Sequence, residues 1–194
     1  MSEILTEFLK SFKVLTSEEI SLINEHTVLK SFKKGSILLK EGEVAKNCYA
    51  VLKGCVRRYY IVDGEEKTTA FYTEGDPVTS FTSYNEKIPS KHFLECIEDC
   101  TLTEGTQDLE KEMCRLIPRL ENIIRVEVEK EAGKTQENFA LFITSSPEER
   151  YLNLLKTRPN LLQRVPQHQI ASFLGIKPES LSRLKKRILT KTKS

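Results

Sequence analysis

The sequence predicts an α+β protein in three successive parts: an antiparallel β-sandwich or barrel, then a long helix, then a small all-helical head. Three observations carry this. Short apolar or aromatic runs alternate with glycine-bearing turns from Lys34 to about Thr106. Glycine nearly vanishes after Asp108. The last quarter of the chain is strongly basic: from Pro147 to Ser194 there are 11 Lys and Arg against 3 Asp and Glu, a net +8, while the preceding residues hold 19 against 25, a net −6. Charge divided in this way marks one part that meets a polyanion, nucleic acid first, and another that does not.

The first thirty residues read helically, with Thr16 and Glu19 spaced as a capping box before Ile20, Leu22 and Ile23. Strands are predicted in the runs around Ile37–Leu39, Tyr49–Leu52, Val56–Val62 and Thr68–Tyr72, each closed by a turn signal. Asp63-Gly64 between two of these runs predicts a tight hairpin, because a primed turn needs positive φ at both centres. After Asp108 a helical stretch extends to about Thr144, with Leu116, Leu120, Ile124 and Val128 as one apolar stripe. That stripe needs a cover, and dimerisation supplies it, with packing inside the chain as the alternative. Ser146-Pro147-Glu148-Glu149 then starts a new helix with a cap, a proline in the first turn and a capping box. The divisions are residues 1–110, 111–145 and 146–194.

Gln167 to Lys186 satisfies the demands of a helix-turn-helix. Ile170 and Leu174 face inward on the first helix, Ala171 allows close approach and Gly175 makes the turn. Ile176, Leu181 and Leu184 complete a small core. Pro178 opens the second helix, with Glu179 favourable at its positive end. The opposite face then carries Glu179, Arg183 and Lys186, with Ser180, Ser182 and Arg187 beside them. Arginine can donate two bonds to guanine and glutamate can accept from cytosine, so Arg183 and Glu179 are assigned to bases and Lys186 and Arg187 to phosphates. Gln167, His168 and Gln169 at the start of the first helix join the candidate DNA-binding set. The alternative is a basic solvated face on an ordinary helical hairpin.

These residues resemble the Crp/Fnr superfamily of bacterial transcription regulators, over nearly the whole chain. Lys34-Gly35, Glu41-Gly42-Glu43, Tyr49-Ala-Val-Leu-Lys-Gly54 and Glu74-Gly75-Asp76 look like the family's successive turns and strands. Gln169-Ile-Ala-Ser-Phe-Leu-Gly-Ile176 and Glu179-Ser-Leu-Ser-Arg183 look like its helix-turn-helix. The resemblance implies a cupin-like, cyclic-nucleotide-binding-like β-roll as sensor, a dimerisation helix and a DNA-binding head. It implies a homodimer on a pseudo-palindromic double-stranded operator in the cytoplasm, with RNA polymerase as a further partner if the protein activates.

The resemblance fails at the effector pocket. The family's cyclic AMP binders follow the Gly-Asp turn with Gly-Glu-Leu and later place Arg-Ser on the cyclic phosphate. Here Gly75-Asp76-Pro77-Val78 leads to Thr79-Ser80-Phe81, and the Arg-Ser position reads Pro89-Ser90. Lys91 offers a positive charge one residue late, and Thr79, Ser80 and Ser83 offer hydrogen bonds, but a lysine cannot copy the planar fork of arginine. A pocket formed by Thr79, Ser80, Phe81, Ser83, Ser90 and Lys91 is therefore expected to bind cyclic AMP poorly, with another effector or none, and no cofactor is required. Two further departures are Lys177 where the family caps its recognition helix with Ser or Thr, and a short tail, Thr190-Lys-Thr-Lys-Ser194, in place of a β-hairpin wing.

Other chemistry has little support. No run approaches the roughly 18 apolar residues of a membrane span, and Met1-Ser-Glu-Ile-Leu lacks the order of a signal peptide. The five cysteines are expected as reduced thiols. Cys48, Cys55, Cys96 and Cys100 are dispersed rather than clustered for an iron–sulfur site, and His26, His92 and His168 have no metal spacing. No catalytic constellation is present, so an enzyme is not expected. The rival readings are a small-molecule module with a vestigial head and a thiol-based redox sensor acting through Cys96 and Cys100.

Overall fold

The computed structural model describes residues 2–191 and begins with two short helices, α1 (Glu3–Lys10) and α2 (Ser17–His26). The capping box expected at the start of α2 is formed: the Glu19 N–H donates to Thr16 Oγ1 and the Thr16 N–H donates to Glu19 Oε2. Leu5, Leu9 and Ile23 of these helices bury themselves with Leu52, Met113 and Ile117, so the amino-terminal helices cover one end of the β domain.

Eight strands follow: β1 (Val28–Phe32), β2 (Ile37–Leu39), β3 (Cys48–Lys53), β4 (Val56–Val62), β5 (Glu65–Tyr72), β6 (Pro77–Val78), β7 (Phe93–Cys96) and β8 (Cys100–Gly105). They form two four-stranded sheets, in the orders β1-β8-β3-β6 and β2-β7-β4-β5. β1 pairs antiparallel with β8 from Val28 opposite Glu104 to Phe32 opposite Cys100. Alternate residues of β7 and β8 point inward, and Leu94, Cys96 and Leu102 meet Val51, Val56 and Val78 in the main core. The sheet region begins at Val28 rather than Lys34. A further short helix, α3 (Phe81–Glu86), lies between β6 and β7.

The helical stretch after Asp108 is not continuous. α4 (Gln107–Leu116) ends before Pro118, and α5 runs from Arg119 to Thr144. Proline has no N–H to give the preceding turn and disfavours helical geometry in the residue before it; Ile117 accordingly leaves the helix at φ −129° and ψ 83°. Leu116 is left exposed on α4, while Leu120 turns onto the core of the amino-terminal helices. The four-residue stripe is thus split across two helices.

The chain divides into two compact units. One comprises the residues through Tyr60 and Ala70–Ile124; the other comprises Ile61–Thr69 and the chain from Arg125 onward. The second unit contains most of α5, then α6 (Pro147–Thr157), α7 (Leu161–Arg164), α8 (Gln167–Phe173) and α9 (Pro178–Lys191). None of the residues of α5, all of them described, is buried, and Phe139 and Ile143 are 66% and 65% exposed. The carboxyl-terminal tail that stands in place of a wing lies, from residue 192, outside the described residues.

Candidate nucleic-acid interface and effector region

The head starts at a formed capping box. The Glu149 N–H donates to Ser146 Oγ, and the Ser146 N–H donates to Glu149 Oε2 at 2.7 Å. The Ser146 backbone N–H, and then the Ser146 hydroxyl, hold the Glu149 carboxyl below its ordinary pKa. Downstream, Ile170, Ala171, Leu174, Leu181 and Leu184 are all buried, as the helix-turn-helix pattern requires.

The turn between α8 and α9 is a Schellman motif. The Gly175 N–H donates to the Ser172 carbonyl and the Ile176 N–H to the Ala171 carbonyl, both at 3.0 Å. Gly175 has φ +71°, and a Cβ there would come within 3.0 Å of the Phe142 ring. Glycine is needed twice over, for conformation and for space.

Sequence reading did not single out Arg150, which fastens this turn. Its guanidinium donates to the Leu174 carbonyl from Nε at 3.2 Å and from Nη2 at 2.8 Å. Its Nη1 donates to the carbonyls of Phe142 at 2.8 Å and Ser145 at 2.7 Å, and its Cζ lies 4.5 Å from the Phe142 ring centroid. One fork therefore closes the unpaired carbonyls at the end of α5 and at the end of α8. No local motif signals this, because Leu174 lies 24 residues further along the chain.

The outer face of α9 is arranged as the sequence predicts. Pro178, Glu179, Ser182, Arg183 and Lys186 are exposed, and Ser180 is half-buried. Arg187 is also exposed but forms an ion pair with Glu148 of α6. Gln167 and His168 are exposed at the start of α8, where Gln167 Oε1 accepts from Lys185 Nζ at 3.0 Å. Gln169 departs from expectation: it is 8% exposed, and its buried Oε1 has no hydrogen-bond partner among the described residues. Successive helix positions are about 100° apart, so the solvent-facing pair gives way directly to the core side, where Gln169 falls with Ile170.

The effector region differs from its expected form. Thr79, Ser80, Ser83 and Ser90 are buried, whereas Phe81 and Lys91 are exposed. The Ser83 hydroxyl donates to the Ile88 carbonyl and accepts from the Ala45 N–H. The Ser90 hydroxyl donates to the His92 carbonyl and accepts from the His92 N–H. Two of the expected hydrogen-bonding groups are thus engaged in closing the loop on itself. Thr79 Oγ1 is buried without a hydrogen-bond partner.

His92, beside this loop, has a buried Nε2 with no hydrogen-bond partner, and its ring centroid lies 5.4 Å from that of Tyr60. Burial, and then the nearby Arg58 charge, push its pKa down to about 4. A cavity of about 430 Å³ does exist in this unit, but of the six expected residues only Ser80 lines it; Lys46, Asn47 and Tyr49 of the β2–β3 loop and strand form much of its wall.

None of the five cysteines, all of them described, is in a disulfide, and Cys55, Cys96 and Cys100 are buried. A hydrogen bond with Cys100, together with burial, raises the Cys96 pKa, and burial also raises those of Cys48 and Cys114. A reactive thiolate needs the opposite shift. Among the described residues no group of three His, Cys, Asp or Glu side chains is placed to hold a metal ion, and no helix is long and apolar enough to cross a membrane.

A double antiparallel sheet, a long exposed helix and a glycine-turned helix pair are thus the three parts that the residue pattern predicts, in the predicted order. Residues 29–114 match the cyclic nucleotide-binding domain family. The chain is 28% identical over 167 residues to the fumarate and nitrate reduction regulatory protein of Vibrio cholerae, a stretch covering 80% of this chain and 66% of that one. It is 27% identical over 169 residues to the regulatory protein HlyX of Actinobacillus pleuropneumoniae, covering 80% and 69%. The chain therefore spans about two thirds of the length of these relatives. Its fold is that of FixK2 from Bradyrhizobium japonicum, with a TM-score of 0.72, 20% identity and 86% of each chain covered. Residues 29–114 are thus similar to cyclic nucleotide-binding domains, and most of the chain is similar to these two regulators.

Proposed function

We propose that this protein is a sequence-specific, DNA-binding transcription regulator that acts as a homodimer in the cytoplasm and is not an enzyme. The observation that carries this is the α8–α9 pair, whose Schellman turn and buried inner face leave Glu179, Ser182, Arg183 and Lys186 exposed together. Arg183 donates to guanine O6 and N7, Glu179 accepts from cytosine N4, and Lys186 pairs with phosphate. Gln167 and His168 contact the phosphate backbone. Arg187 is reassigned from phosphate to holding α9 against α6, since Glu148 already pairs with it.

The dimer reading rests on α5, whose exposed Val128, Phe139 and Ile143 need an apolar cover that a second copy provides. Two recognition helices about 34 Å apart then enter successive major grooves of a pseudo-palindrome. Cyclic AMP is not the effector in this reading. Pro89 stands where the family places arginine, and the hydroxyls of Ser83 and Ser90 are already engaged within the chain.

Selection from a random duplex library by the purified protein tests the whole reading. A two-fold motif with half-sites one turn apart is the expected result, and no binding even at low salt overturns it. On the selected duplex, Arg183→Ala should cost about 1 to 3 kcal/mol and relax preference at one base pair per half-site. Lys186→Ala should weaken binding to all sequences alike and reduce the salt slope by about one. Equal losses from both changes on every sequence would overturn these roles.

A further inference from the structure

The tip of the β4–β5 hairpin belongs to the same compact unit as the helix-turn-helix. Asp63 and Gly64 turn it, both with positive φ, at 53° and 77°. β5 is the edge strand of its sheet, so its outward N–H and carbonyl groups need partners from elsewhere. A single hydroxyl serves two of them. Ser172 Oγ accepts from the Thr68 N–H at 2.9 Å and donates to the Glu66 carbonyl at 2.9 Å, so α8 closes one rung of the strand edge.

This docking is acidic where the head is basic. The tip carries Asp63, Glu65 and Glu66 against Lys67 alone. Glu65 is ion-paired with Lys67 and also feels the charge of Lys177, the residue that precedes the recognition helix. Ser172 lies one helical turn from His168, on the face of α8 that also carries this exposed residue. The contact thus brings Glu65 within reach of the Lys177 charge and sets the tip beside the face of α8 that carries His168. The contact is also imperfect: Thr68 is buried in it with its Oγ1 lacking a hydrogen-bond partner. A clasp holding an unsatisfied hydroxyl is easier to open than a fully paired one.

We propose that the Ile61–Thr69 tip is an acidic brake on DNA binding, seated on α8 through Ser172 and released when the phosphate backbone takes its place. The inference rests on the reading of this head as a DNA-binding one. It requires no rearrangement within the helix-turn-helix, only competition between two anions, the hairpin carboxylates and the phosphates, for one basic strip.

The test combines DNA affinity with amide hydrogen exchange on the full chain. Ser172→Ala removes both bonds without changing charge, and alanine keeps α8 helical. Glu65→Gln with Glu66→Gln weakens the tip electrostatically, and Glu25→Gln on the exposed surface of α2 controls for a general change in net charge. Ser172→Ala and the double variant should each bind the selected duplex at least about fivefold more tightly than the parent, with little change from the control. The Thr68 amide, protected in the free protein, should exchange faster in Ser172→Ala and in the parent bound to DNA. If Ser172→Ala exposes the Thr68 amide while affinity stays equal or falls, the brake is refuted and the DNA-binding reading stands. If neither the parent nor any variant binds DNA, the DNA-binding reading fails and takes the brake with it.

Discussion

The helix-turn-helix and the segment from Thr79 to Lys91 both carry polar residues that the sequence offers for recognition, yet they deploy them in opposite ways. In the head the apolar residues close a core and the polar ones of α9 from Glu179 to Lys186 mostly remain on the outside, while Gln169 alone of the candidate DNA-binding set is buried. In the effector segment the hydroxyls of Ser83 and Ser90 turn inward and bind their own backbone. A polar side chain signals recognition only when the chain has not already engaged it. Hydrogen-bond partners, rather than residue type, separate an interface from a closed loop.

The largest expected effect concerns how the head is held. Arg150→Ala removes the shared donor from the carbonyls of Phe142, Ser145 and Leu174, and should lower stability by about 3 to 4 kcal/mol. Arg150→Lys should recover only part of this, because an ammonium cannot span three carbonyls with a planar fork. Thermal unfolding measures the loss. DNA affinity of folded Arg150→Lys measures whether the end of α5 and the recognition turn must be fastened for binding. A Lys variant matching the parent in both would mean that the fork geometry is incidental.

The contrast between the regions also explains what could be seen in advance. The capping boxes at Thr16 and Ser146, the Asp63-Gly64 hairpin and the Gly175 turn are local, each fixed by residues within a few positions of one another. All four were legible. The state of Ser83 depends on Ala45, 38 residues away, and that of Ser172 on Thr68, 104 residues away. No periodicity encodes such pairs. Pro118 is a different case: the signal stood in the sequence, but the apolar stripe from Leu116 to Val128 outweighed it. Strand β1 was passed over because Val28 follows the preceding helix without glycine or proline, and only its pairing with β8 makes it a strand.

A smaller effect tests whether the effector segment really is interior. The pKa of His92 is about 4 in the folded chain against 6.5 in the unfolded one. Its contribution to stability is full above pH 6.5. It is lost as pH falls towards 4, because there the unfolded chain takes up a proton that the folded chain refuses. The parent should lose about 2 to 3 kcal/mol more over that window than His92→Gln, which cannot titrate. Carboxylates such as Glu19 and Asp99, whose pKa values are lowered by Arg119 and Lys33, add their own acid dependence to both proteins and cancel in the difference. Identical pH profiles would place His92 in water, as in an open ligand pocket.

The smallest effect is the sharpest discriminator. Thr79 Oγ1 is buried without a hydrogen-bond partner, so as part of a closed interior it is a burden on the fold. Thr79→Val keeps the branched shape and removes the burden, and should raise stability by up to about 1 kcal/mol with DNA affinity unchanged. Were Thr79 instead held ready for an effector, the same substitution would abolish that effector's influence on DNA affinity. Cyclic AMP and cyclic GMP are the probes to apply, each added to parent and variant during melting and binding measurements. A rise in melting temperature with neither nucleotide altering either protein would show that the segment has become structural. A nucleotide response present in the parent and absent from Thr79→Val would mean that the unpartnered hydroxyl marks a binding site, and would make the two regions alike after all.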